Sequence, residues 1–388
     1  MKKISSTIFT IAFLVFINCK SDTRKAINPI QTQKFTSFDG LINGFLSLKP
    51  NPKKSEVKDY FNSMAKTLNK AKDKFAKFIS EKGDKTIEGK NPDTDTEDNS
   101  TVNPVDDEIN KIKDMIDKMI DAANTIVETV AETVTEVMGE VVEVKHSGNV
   151  TTKADAKSVI AIAKGIKKIA GAAGIADKLK AEADKTTKPI SEESNNRDAG
   201  KMFSGKQGDQ GGSVIDSGAI PTEIGGGANP MDINKAAKAV KNVSGEQILG
   251  AIIAAAKAIE SGGEAKIAGK NANEAKNPID AAIGGNDDSD ATAFTGNMEK
   301  DAQIAAAIVL RGMAKNGKFA VKMGREPSGD GNAIRALVKN AANKTVDALS
   351  KLVLKAINES LTTKIAKTIK ASGEAANEAV NSNSPSVK

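Results

Sequence analysis

The sequence predicts a mostly α-helical protein: an elongated helical bundle stem from N- and C-terminal helices, a loop-rich, Gly-rich distal region, and at most a few short strands. Two observations carry this. Near both ends of the 388-residue chain, apolar residues recur at alternating spacings of three and four, the signature of one buried helix face. The middle of the chain instead alternates short Ala/Lys/Ile segments with Gly, Asn, Asp and Ser, which favour turns.

Taken in order, residues 1–18 read as a secretory signal. Lys2 and Lys3 supply a positive start, and Ile4 to Ile17 form an apolar stretch too short for a stable membrane span. The stretch runs into Phe16-Ile17-Asn18-Cys19 and then the polar Lys20-Ser21-Asp22. A cysteine placed just after such a stretch reads as a lipid-attachment residue. Phe16 and Asn18 depart from the strict small-residue lipobox and resemble the relaxed boxes of spirochaete lipoproteins. Cys19 is the only cysteine, so intramolecular disulfides and Cys-based metal sites are impossible. Residues 19–53, ending in Pro50 and Pro52, are expected to form a lipidated tether with scattered Phe35, Phe38, Leu41, Ile42, Phe45 and Leu48.

From 54 to 388 we expect one helical domain. Val57, Phe61, Met64, Leu68, Ala71, Phe75 and Phe78 place a helix at about 55–80. Gly83 to Asp107 is polar with Pro92 and Pro104, and is read as a loop. Ile109, Ile112, Ile116, Met119, Ala123, Ile126 and Val130 then stripe a helix from about 105 to 138. Asp106, Asp107 and Glu108 lie in its first turn, where the helix dipole favours them. Its Val- and Thr-rich second half allows an early end.

Residues 140–296 are expected to be the variable, loop-rich distal part, with helices near 154–170, 176–184, 233–242 and 245–260. A helix at about 298–315 carries Ile304, Ile308 and Met313, and Lys318-Phe319-Ala320-Val321 is a candidate strand. Pro327-Ser328-Gly329 marks a turn. A last helix at about 331–371 is striped by Ile334, Leu337, Val338, Val346, Leu349, Val353, Ile357, Leu361, Ile365 and Ile369.

The residues for chemistry are scarce. His146 is the only histidine, so Ser-His-Asp and Cys-His arrangements cannot be assembled; it reads as a surface residue in a loop. Asp287-Asp288-Ser289-Asp290 resembles a calcium loop loosely but lacks the required glycine and terminal glutamate. Gly225-Gly226-Gly227 is not followed by Lys-Ser/Thr, so no phosphate cradle is expected. The formal charge of +6 becomes +4 once Lys2 and Lys3 leave with the signal, and it is interspersed. With aromatics at 3% and no Trp, nucleic-acid binding is not expected. Arginine is sparse, confined to Arg24, Arg197, Arg311, Arg325 and Arg335, which disfavours a bidentate phosphate reader. No enzyme, no cofactor and no metal site are expected.

One stretch is specific enough to name a family. Residues 298–322, running Met298-Glu299-Lys300-Asp301-Ala302-Gln303-Ile304 through Arg311-Gly312-Met313 to Phe319-Ala320-Val321-Lys322, resemble the invariable segment of the Borrelia variable large proteins and of the related Vls surface lipoprotein. The early stripes and the close at Lys370-Ala371-Ser372-Gly373-Glu374-Ala375-Ala376 fit as well. The resemblance implies a surface-exposed outer-membrane lipoprotein facing outward, anchored through acylated Cys19. It implies a variable major antigen, with host antibodies as partners. The alternative is an adhesin binding a host polyanion such as glycosaminoglycan, or a serum protein, through lysine-rich surfaces. Within 298–322, Ile304, Ile308 and Leu310 are expected to be buried, while Lys300, Arg311 and Lys315 are expected to reach solvent.

Overall fold

The computed structural model describes residues 53–83, 104–130, 135–144, 151–184, 195–204, 227–262, 269–285, 291–322 and 329–361. Cys19, His146 and the 287–290 acidic run lie outside the described residues, as do the signal, most of the tether and the end of the expected last helix.

Helix α1 (Lys54–Gly83) and helix α2 (Pro104–Val130) pack along one another. Val57, Phe61, Met64, Leu68 and Phe75 of the first helix and Ile109, Ile112, Ile116, Met119 and Ile126 of the second are all buried. The striped faces therefore do what their spacing requires: each removes a continuous apolar row from water. Helix α2 ends at Val130 rather than at 138. Near that end Thr125 and Thr129 donate to the carbonyls of Asp121 and Thr125, both at 2.9 Å, a back-bonding that loosens helix geometry. Further along, Val137 bridges antiparallel to Lys53.

Strand β1 (Glu140–Val144) pairs in parallel with strand β2 (Lys318–Lys322), with Val141 opposite Phe319 and Glu143 opposite Val321. Ala228 bridges β2 along Val321. Strand β2 was anticipated. Its partner was not, because a parallel pair is set by contacts 178 residues apart in sequence rather than by local pattern.

The segment 140–296 contributes helices α3 (Ala156–Ala172), α4 (Ala176–Asp184), α5 (Pro230–Asn242), α6 (Gly245–Gly262) and α7 (Pro278–Ile283), with a 3-10 turn at Arg197–Phe203. Their starts are chemically marked. Asp155 accepts from the Ser158 amide at 2.7 Å, and Asn229 and Asp232 form a reciprocal capping box. Ser244 and Gln247 exchange the same pair of bonds. Such caps satisfy amides that the helix itself leaves open. The interiors of these helices are buried as thoroughly as α1 and α2: Ile162, Ile166, Ile248 and Ile252 are all sealed.

Helix α8 (Asp301–Met313) follows a short 3-10 turn at Gly296–Glu299, so the expected single helix at 298–315 is two elements. Every residue from Ala302 to Met313 is buried. A helix apolar all round belongs in the interior, and α8 is enclosed by α3, α5, α6, α7 and helix α9 (Gly329–Glu359). Its small residues permit this closeness. A Cβ on Gly312 would overlap Val338 of α9, just as one on Gly165 would overlap Ile126 of α2.

Candidate functional site

Arg311 is the largest fully buried side chain among the described residues. The expectation that it reaches solvent is wrong: its relative exposure is 0%. Lys300 and Lys315 on either side are partly exposed, as expected. Arg311 lies in the last turn of α8, which points the guanidinium toward the end of α7, the 3-10 turn and β2. Its Nε donates to the Ala282 carbonyl at 2.9 Å and its Nη2 to the Ala281 carbonyl at 3.0 Å. Its Nη1 donates to the carbonyl of Phe203 at 2.9 Å and reaches that of Lys318 at 3.4 Å.

The chemistry of this arrangement is structural. The last carbonyls of a helix have no partner within it and carry partial negative charge. A planar guanidinium with five donors can serve several of them at once, which an ammonium cannot do in the same geometry. The Phe203 ring lies under the guanidinium, 4.5 Å from carbon to centroid. That ring packs edge-on against Phe294 and Phe319 at 5.2 and 5.6 Å. Thr152 Oγ1 adds a further donor to the Phe203 carbonyl at 3.0 Å.

Two lysines repeat the theme. Lys344 of α9 donates from Nζ to the carbonyls of Val240 and Val243 at 2.7 and 2.8 Å, sealing the end of α5; burial lowers its ammonium below the ordinary lysine range. Lys54 is buried with Nζ 2.6 Å from Glu136 Oε2 and 3.1 Å from the Gly317 carbonyl. Burial lowers its ammonium too, with Glu136 pulling the other way. Tyr60 of α1 donates to the Val346 carbonyl at 3.0 Å and lies 2.7 Å from Ser350 Oγ, joining α1 to α9. Burial pushes its phenol well above the usual value.

A single signal could have exposed the error at Arg311. Ala305-Ala306-Ala307-Ile308-Val309-Leu310 leaves no polar face for it to share, so an arginine there must go inward and find partners.

On the surface, an open groove runs between α2 and α3, lined by Lys111, Asp114, Lys118, Asp121, Lys167 and Lys168 among others. Lys167 is already ion-paired with Glu260. Acid and base alternate along the α2 side, so the groove has no continuous basic track. Among the described residues no three of His, Cys, Asp or Glu are placed to hold a metal ion, and no helix is long and apolar enough to cross a membrane.

Among the described residues the chain is thus a helical bundle in which a buried arginine braces the ends of neighbouring segments. The chain belongs to the Borrelia lipoprotein family, whose model matches residues 32–372. It is 27% identical over 383 residues to variable large protein 4 of Borrelia hermsii, covering 93% of each chain. Against variable large protein 17 of the same organism it is 25% identical over 365 residues, covering 90% and 86%. Among solved structures it is similar to the Lyme disease variable surface antigen VlsE of Borrelia burgdorferi. That match has a TM-score of 0.66 at 34% identity, and covers 87% of this chain and 94% of that one.

Proposed function

We propose that this chain is a lipid-anchored antigen of the outer membrane, displayed outward and varied among sibling forms so that host antibody against one misses the next. The observation that carries this is likeness along nearly the whole chain to a variable large protein and to a variable surface antigen. Cys19 takes the acyl chains, residues 19–53 form the tether, and 54–388 form the displayed body. Segment 140–296 is the part that varies, and host antibodies are the partners. We read no catalytic role for it.

The adhesin reading draws less support. A polyanion needs an uninterrupted row of cations, and Asp114 and Asp121 interrupt the row formed by Lys111 and Lys118.

The test is to express the full chain and its Cys19→Ala variant in a spirochaete. Wild type should incorporate labelled palmitate, lose its epitopes when intact cells are treated with protease, and bind antiserum on live cells. The variant should do none of these. Labelling that survives the substitution, or full protection from protease, would overturn the proposal.

A further inference from the structure

Helix α2 turns one charged stripe to solvent. Lys111, Asp114, Lys118 and Asp121 are all exposed. Their spacing of three, four and three places them on one face, over about 15 Å of helix. The buried residues Ile109, Ile112, Ile116 and Met119 occupy the other side. Lys111 bonds Glu108 one turn back at 2.6 Å, an exposed contact of little energetic weight. Among the described residues no side-chain hydrogen bond or ion pair engages the charged groups of Asp114, Lys118 or Asp121, although the Asp121 carbonyl accepts from Thr125. Their neighbours in the adjoining groove, Ala122, Gly171 and Ala172, are small enough to let another helix come close.

The order of signs along the stripe is plus, minus, plus, minus, which is its own complement when reversed. Two copies of α2 laid antiparallel about a twofold axis level with Ile116 bring Lys111 opposite Asp121 and Asp114 opposite Lys118, each pair occurring twice. The match continues beyond the four charges. Thr125 falls opposite Asp107, so no like charges meet there, and Glu128 falls beside the start of the helix at Pro104. The dipole there favours a carboxylate. Laid parallel, every charge would meet its own kind.

We propose that this stripe is a self-recognition surface through which two copies of the protein pair by antiparallel α2 helices. A twofold contact needs a self-complementary patch, and the charge order supplies one. Met231 is the only exposed large hydrophobic residue among those described, so no apolar patch competes to set the partner. Charge selects the pairing, and added salt weakens it. The proposal does not depend on acylation of Cys19 or on antigenic variation.

The test uses the full chain with Cys19→Ala, which removes the proposed lipid-attachment thiol and any adventitious disulfide. Sedimentation equilibrium at low ionic strength should show a dimer that dissociates as salt is added. Lys111→Glu with Lys118→Glu makes the stripe wholly acidic, and Asp114→Lys with Asp121→Lys makes it wholly basic. Each variant alone should lose association by about tenfold or more, and an equal mixture of the two should recover it. Because the four residues are exposed, circular dichroism should show unchanged helicity in both. A wild type that stays monomeric, reversed variants that dimerise as well as wild type, or a mixture that fails to associate would each overturn the proposal.

Discussion

Arg311 and Phe203 meet twice: the guanidinium lies over the phenyl ring, and its Nη1 donates to the same residue's carbonyl at 2.9 Å. The ring covers one face of the guanidinium, and the guanidinium in turn satisfies the carbonyl of the same residue. Removing the cation therefore leaves several buried carbonyls without a donor. Arg311→Met should lower stability by about 2–5 kcal/mol, read from chemical denaturation midpoints. Arg311→Lys should recover little of it, since one ammonium cannot reach across the same carbonyls.

Tyr60 is the only tyrosine and the chain has no tryptophan, so phenolate absorbance reports on this residue alone. Its phenol keeps its proton more tightly when folded than unfolded. The stability this represents is fully present below the unfolded value near pH 10 and is lost as pH rises from there toward the folded value. An alkaline titration should show phenolate appearing together with the loss of helical dichroism. Ionisation near pH 10 in a fully helical protein would contradict the burial.

Leu349 is 1% exposed, on the inner face of α9. Leu349→Ala should cost about 2–5 kcal/mol, measured by thermal or denaturant unfolding. A change within about 0.5 kcal/mol would place the residue at the surface instead.

Gly165 lies where α3 crosses α2, and a Cβ there would overlap Ile126. Gly165→Ala should therefore destabilise by about 1–3 kcal/mol through overpacking. The same change combined with Ile126→Val, which clears part of the space, should cost less than the single substitution. A strictly additive pair would refute the contact.

Since Ala302 to Met313 are buried in full, antibodies raised against the isolated 298–322 peptide should bind denatured protein strongly and native protein weakly. Equal titres against both would mean that α8 opens readily.

Much of the bundle was legible because helix faces are local. The three-four stripes of 57–75 and 109–130 fix both existence and facing of α1 and α2, and 176–184 matches α4 residue for residue. The strand at 140–144 was not legible, since its partner lies far along the chain and five residues of Val and Glu carry no turn signal. The burial of Arg311 was misread for a related reason. Charge alone predicts exposure, and the carbonyls that make burial tolerable come from segments more than a hundred residues and about thirty residues away. Cys19, the one residue assigned a chemical role, was read from sequence alone.

The cations at positions 311 and 344 grip main-chain oxygens, and a main-chain oxygen is the same whatever residue bears it. Ala281, Ala282, Val240 and Val243 thus owe nothing of their identity to the groups that hold them; only volume constrains what may stand there. A protein built this way keeps its information in few places. Two lineages could diverge widely through these helix ends, each drifting under its own selection, and still close around the same arginine and the same lysine.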